Sequence, residues 1–328
     1  MANAIIGFDG APAFGSESEG LSAGHPVPRP GFEFTSPHGQ PVDWDSLGRF
    51  DPFRKLSAAE KQSQLAGYRQ FLFERDGELD FRSRVLPKRE ADMRAIESQG
   101  ATWQGETDRD AFYDHYYGRG ATALDPRTNW LLVISAFNVN EIFAVEGEIQ
   151  RWLKRGLDGA DPCVLYDLLE EQYHGRILIE ACRASGLGEV RLKPPRWFTR
   201  QMIHVMQRFP DGIRFVGILC GEALGCAVLR ILLDRIGVFE EEPEVQARIR
   251  FLIEQILLDE TGHTLFCRAT MPDWALALSR RAVVPIAAGL MREVPHLSAL
   301  GVTHRELYGR LCQGIPIPPS MESWLPAE

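Results

Sequence analysis

The chain has no Cys-x-x-Cys pair. Its six cysteines, Cys163, Cys182, Cys220, Cys226, Cys267 and Cys312, are scattered, which excludes zinc ribbons and thioredoxin-type redox motifs. Most lie in apolar stretches, where buried, reduced thiols are expected. Positive charge is also short: 36 Lys and Arg stand against 45 Asp and Glu, for a net charge of −9. With no Lys/Arg-rich run, neither a nucleic-acid-binding surface nor an anionic membrane patch is expected. No uninterrupted run approaches the roughly 18 apolar residues of a membrane span. The N-terminus lacks the basic and apolar regions of a secretory signal, so the expected setting is the cytoplasm, with no membrane association. Strand-like alternation is nearly missing too, and the expected fold class is all-α.

What is present divides unevenly along the chain. Residues 1–45 are rich in Gly, Pro, Ser and Ala, with Pro26, Pro28, Pro30, Pro37 and Pro41 closely spaced. Such a segment buries too little apolar surface to offset its ordering entropy and is expected to form an extended or flexible arm. Residues 46–328 are expected to form a single helical domain with a core over 129–269. Ser57 and Glu60 have capping-box spacing for a helix through Phe71. The charged and aromatic stretch from Arg75 to Asp125 has weak periodicity, which predicts short helices and loops.

Four long helical patterns follow: Asn129 to about Arg155, Asp161 to about Ser185, Asp211 to about Ile236, and Val245 to about Ala269. Asp161-Pro162 supplies an N-cap with Pro at the first helical position. Shorter helices are predicted at Trp197–Phe209, Pro272–Arg292 and Thr303–Cys312.

The second and fourth long patterns each carry Glu-x-x-His: Glu171-Gln-Tyr-His174 and Glu260-Thr-Gly-His263. Three-residue spacing puts Glu and His on one helical face, one turn apart. The first and third patterns carry Glu141 and Glu222 on their apolar faces. The separations between Glu141 and Glu171, and between Glu222 and Glu260, each suit two antiparallel helices of about four to six turns with a loop. Glu146 and Glu148 are alternatives to Glu141, with Glu148 on the same face.

A carboxylate among Ile253, Ile256 and Leu257, as Glu260 is, costs several kcal/mol unless neutralised, paired or metal-bound. Four such carboxylates with two in-phase histidines, and no Lys or Arg nearby on those faces, point to a polyvalent cation. The donor set suits Fe or Mn better than thiolate-preferring ions or four-coordinate zinc. Metal-bound His commonly donates its other ring N–H to an outer acceptor. Asp259 is therefore expected to hold His174, and Glu170 to hold His263. Gly217, Gly221 and Gly225 recur every four residues beside Glu222. They allow close helix packing, or room for substrate with Phe137 and Cys226 as neighbours. His204 reads as a helix-packing histidine, with a pocket role as the alternative.

On Glu141, Glu171/His174, Glu222 and Glu260/His263, the chain resembles the ferritin-like non-haem di-iron carboxylate superfamily. That group includes multicomponent monooxygenases, acyl-carrier-protein desaturases, ribonucleotide reductase small subunits, arylamine N-oxygenases and ferritins. The resemblance implies a four-helix bundle core with additional N- and C-terminal helices. It also implies two Fe ions or a Mn/Fe pair, O2 as co-substrate, a ferredoxin or flavin reductase as electron donor, and a homodimer. Leu178 stands where reductase subunits carry their radical Tyr. Ile256 replaces the extra His of arylamine N-oxygenases, and Cys226 the Thr of multicomponent hydroxylases. The resulting expectation is an oxygenase that hydroxylates or N-oxygenates a small or carrier-bound organic molecule. Desaturation, or iron handling without an organic substrate, is the alternative.

Overall fold

The structure is a computed structural model and describes residues 42–79, 85–100, 105–120, 123–155, 161–188, 190 and 193–325. The fold is all-α. Among the described residues, regular strand is limited to Arg49–Phe50 pairing antiparallel with Ile315–Pro316, which ties the two ends of the body together.

Among the described residues, three helices precede the long ones. Helix α1 (Ala58–Asp76) opens on the reciprocal capping box of Ser57 and Glu60, and runs beyond the expected end at Phe71. Helices α2 (Pro87–Gly100) and α3 (Arg109–Tyr116) occupy the stretch of weak periodicity. The long helices are α4 (Pro126–Arg155), α5 (Pro162–Ala184), α7 (Asp211–Asp234) and α8 (Pro243–Thr270), with α6 (Trp197–Met206) before α7. Helix α9 (Asp273–Glu293), the short α10 (His296–Ala299) and α11 (His304–Gln313) complete the chain. Asp161 caps α5, its side chain accepting from the Cys163 N–H, and Pro162 occupies the first turn.

Helix α5 packs on α4 and α8, and α8 packs on α7, so the four long helices form a connected layer set. Helix α1 covers α8, α2 covers α5, and α9 lies against the outer side of α7. The α4–α7 edge is tied at its ends. Trp130 Nε1 donates to the Leu232 carbonyl at 3.0 Å; at the other end Arg214 pairs with Glu148 and Arg151 with Asp211. Helix α6 lies across that second end, with Gln207, just past its last turn, against Gly147 of α4 and Met206 against Gly217 of α7.

Two expectations change. Trp44, assigned to the arm, is buried and donates through Nε1 to Glu254 at 3.1 Å, so the packed body already includes it. Residues 1–41 of that arm lie outside the described residues. Second, Pro126–Trp152, Asp211–Asp234 and Asp273–Glu293 are long and apolar enough to cross a membrane by length and composition. Counting uninterrupted apolar runs missed them, because isolated polar residues break the runs without lowering mean hydropathy enough. Neighbouring elements bury 78% of the apolar window of α7 but only 33% of that of α9. The cysteines are as expected: five are buried, Cys312 is exposed, and all six are free thiols.

Candidate metal centre

The centre is assembled from the four long helices. Helix α4 supplies Glu141, α5 supplies Glu171 and His174, α7 supplies Glu222, and α8 supplies Glu260 and His263. Each Glu-x-x-His unit turns its two side chains inward together, as its spacing dictates. Two groups of candidate ligand atoms result, the atoms of each lying within 4.8 Å of one another: Glu141, Glu171, His174 and Glu260, and Glu171, Glu222, Glu260 and His263. Glu171 and Glu260 belong to both.

Both imidazoles direct Nδ1 into the cluster. His174 Nδ1 lies 3.1 Å from Glu141 Oε1, 3.3 Å from Glu171 Oε2 and 3.4 Å from Glu260 Oε1. His263 Nδ1 lies 3.0 Å from Glu171 Oε1 and 3.7 Å from Glu222 Oε2. Glu171 thus presents one oxygen to each histidine. The outer nitrogens meet the residues just ahead of the opposite motif: His174 Nε2 is 3.1 Å from Asp259 Oδ2, and His263 Nε2 is 3.0 Å from Glu170 Oε2. The contact pattern is reciprocal between α5 and α8.

These groups are in electrostatic conflict without a cation. Burial, then the Glu171 charge, pushes the Glu141 carboxyl up to about 7. Burial and the charges of Glu222 and Glu171 raise Glu260 well above the carboxylate range. Burial would raise Glu171 as well, but His174 and His263 outweigh it and hold the carboxyl low. Burial opposes protonation of both imidazoles. Glu171 foremost for His174, and Glu170 foremost for His263, outweigh it and raise both far above their ordinary value. A single imidazole N–H cannot serve three carboxylates. Glu171 Oε2 and His263 Nδ1 are buried with no hydrogen-bond partner despite their close neighbours, as is Glu170 Oε1. Acceptors converging on a point with too few protons fit a pair of cations. The donors are four carboxylates and two imidazoles, a set suited to iron or manganese.

Several participants carried no signal in the sequence. Asp259 receives Arg75 Nε at 2.6 Å and is also paired with Arg89. All three are buried, and the two guanidiniums hold the Asp259 carboxyl well below its ordinary value against the effect of burial. Their helices, α1 and α2, showed no apolar stripe that would aim an arginine inward. Asp167 was legible in principle, one turn before Glu171. It accepts from the Tyr68 hydroxyl at 2.7 Å and groups with Glu170 and His263. Burial pushes it up to about 7. Of the alternatives to Glu141, Glu148 is engaged by Arg214, and Glu146 lines a separate cleft.

The expected pocket residues separate. Phe137 and Gly225 line a small closed cavity with Glu141, Glu260, Leu178 and Ile256. Its volume of about 10 Å³ accommodates roughly one water. A Cβ on Gly225 would come within 3.1 Å of Glu260 Oε2, so the missing side chain leaves room for that carboxylate. Gly217 meets Met206 and serves packing, whereas Gly221 is exposed and a Cβ there would meet nothing within 4 Å. Cys226 is buried with its Sγ 3.9 Å from Thr264 Oγ1 and does not line the cavity.

Comparison with known proteins adds no assignment: no family model, no curated protein and no solved structure matches the chain.

Proposed function

We propose that the protein is an O2-dependent di-iron oxidoreductase of ferritin-like architecture, hydroxylating or N-oxygenating a small or carrier-bound organic substrate. The observation that carries this reading is the double sharing of Glu171 and Glu260 between two four-residue groups, each with one imidazole. In it, Glu141, Glu171, His174 and Glu260 would hold one ion, and Glu171, Glu222, Glu260 and His263 the other. Two irons bound by these residues would supply reducing electrons for dioxygen and Lewis-acid polarisation of it. A ferredoxin or flavin reductase is the proposed source of reducing equivalents.

The chain's own residues prepare the site for that chemistry. Asp259 and Glu170 accept from the outer Nε2–H of each histidine, which fixes the tautomer that leaves Nδ1 free as a ligand. Arg75 and Arg89 keep Asp259 ionised, so this acceptor role persists through the physiological pH range. Surrounding apolar side chains, Leu178 and Ile256 among them, leave room for no more than about one water on the Glu141–Glu260 side. Gly221 leaves open space one residue before Glu222, where an organic molecule can approach from the α4–α7 edge. Without room there the reading would change. The 10 Å³ cavity alone suits iron handling with no organic substrate, and this is the second reading.

Anaerobic loading with Fe(II), followed by metal analysis, tests the centre. About two irons per chain are expected, with loss in Glu260→Ala. Reductant-dependent O2 consumption and a product heavier by one oxygen atom favour the oxygenase. Many irons per chain with no organic product favour iron handling, and two irons with no O2 consumption would sink the oxidoreductase reading.

A further inference from the structure

A second cavity, of about 800 Å³, opens between α4 and α6. It falls within the usual volume range of small-molecule sites, about 300–1,000 Å³. Its α4 wall is Phe143, Glu146, Gly147, Gln150, Arg151 and Lys154, which recur at three- and four-residue steps along one face. At about 100° per residue, that face is turned roughly 140–280° from Glu141, centred on the opposite side of the helix. A molecule bound there has the α4 backbone between itself and the carboxylate cluster.

The lining is cationic in a chain whose net charge is −9. Arg151 is already engaged by the Gln207 carbonyl and Asp211. Lys154, Arg200 and Arg208 have no carboxylate partner among the described residues, and Arg200 Nε is buried with no hydrogen-bond partner. Glu146 is the one acidic side chain in the lining. Flat groups stand beside these charges. Phe143 meets the His204 ring edge-on at 5.7 Å between centroids, and Trp197 is 66% exposed at the cleft. His204 thus lines the cleft while it packs on Phe143 of α4.

We infer that this cleft is a binding site for a small molecule carrying an anionic group on a flat apolar body. Arg200, Arg208 and Lys154 take the anion through charge-assisted hydrogen bonds, and Trp197 with Phe143 takes the flat body. The inference does not depend on the metal centre, because none of its residues belongs to that cluster.

Isothermal titration of the full-length chain tests it, with 1-naphthalenesulfonate as the probe. Its neutral counterpart 1-naphthalenemethanol and inorganic phosphate separate the two halves of the site. One sulfonate per chain is expected, with both comparison compounds binding more weakly. Arg200→Glu/Arg208→Glu and, separately, Trp197→Ala should each weaken the sulfonate about tenfold, the loss of roughly one charge-assisted or aromatic contact. Arg281→Glu/Arg305→Glu, elsewhere on the surface, should leave it unchanged. Trp197 is largely exposed, so its variant keeps the test valid if the double arginine variant fails to fold. Equal binding of the neutral compound or of phosphate overturns the inference. So does unchanged affinity in the cleft variants, or the same loss in the surface control.

Discussion

Asp259 accepts from three directions: His174 Nε2, Arg75 and Arg89, all of them buried. Removing this carboxylate leaves Arg89 with Asp76 at 3.7 Å and Arg75 with the Gln255 carbonyl at 3.2 Å, both away from water, and breaking such buried pairs costs about 3–5 kcal/mol. Asp259→Ala is accordingly expected to lower unfolding free energy by about that amount in urea titrations. A loss below about 1 kcal/mol, the level of an exposed pair, would mean that the arginines reach solvent. The Gly of Glu260-Thr-Gly-His263 has an equally specific reason: a Cβ on Gly262 would fall 2.6 Å from the Tyr68 ring. Gly262→Ala should cost about 1–3 kcal/mol through overpacking, and denaturant midpoints equal to the parent's would refute the contact. The sequence made Asp259 legible because it sits one residue from a motif glutamate. Arg75 and Arg89 were not legible, since nothing local distinguishes a buried arginine on α1 or α2 from a solvated one. Tyr68 was hidden for the same reason: its partners, Asp167 and Gly262, lie far along the chain.

The helices carrying the motifs were readable because 3.6-residue periodicity, the Asp161-Pro162 cap and the Ser57–Glu60 box are local signals. Their mutual placement was not. The α4–α7 edge is closed at its ends by Trp130–Leu232 and by the Arg214–Glu148 and Arg151–Asp211 pairs. Between them, residues 140–149 of α4 remain half-buried, apart from the side chains' inner contacts, and Gly221 on α7 is exposed. The repeated glycines of α7 looked equivalent in the sequence, yet one meets Met206, one faces open space and one accommodates Glu260. On the proposed function, Gly221→Phe fills the approach without touching a ligand. KM for the organic substrate is expected to rise about tenfold, with iron content and thermal midpoint retained, because one well-placed steric block costs roughly 1–3 kcal/mol of substrate binding. A drop in iron content with KM unchanged would place Gly221 among the determinants of the metal site instead.

Across the whole molecule, the uncompensated cluster links stability to pH and to metal. Glu141 and Asp167, both raised to about 7, bind protons in the folded chain at pH values where the unfolded chain has released them. Their stabilisation is therefore present below the ordinary carboxylate values and lost as pH rises toward 7. His174 and His263, also raised, stabilise fully below the ordinary imidazole value and lose that contribution as pH climbs through their folded values. Glu171 and Asp259 act oppositely, being held low: their contribution is present above the ordinary carboxylate range and is lost only as pH falls below it. Glu260, raised well above the carboxylate range, acts in the same sense, so between about pH 5.5 and 8 these raised groups set the slope and the metal-free protein should unfold at progressively lower temperature. Cation binding needs deprotonated ligands, so it stabilises most where the free site is weakest. Thermal melts of chelator-treated protein at about pH 5.5 and pH 8, each with and without Mn(II), read both slopes. The expected result is a lower midpoint at the higher pH without metal, and a larger Mn(II)-induced rise there. A metal-free midpoint that climbs with pH would show that the carboxylates are already paired by protein groups, removing the electrostatic case for cations between α4, α5, α7 and α8.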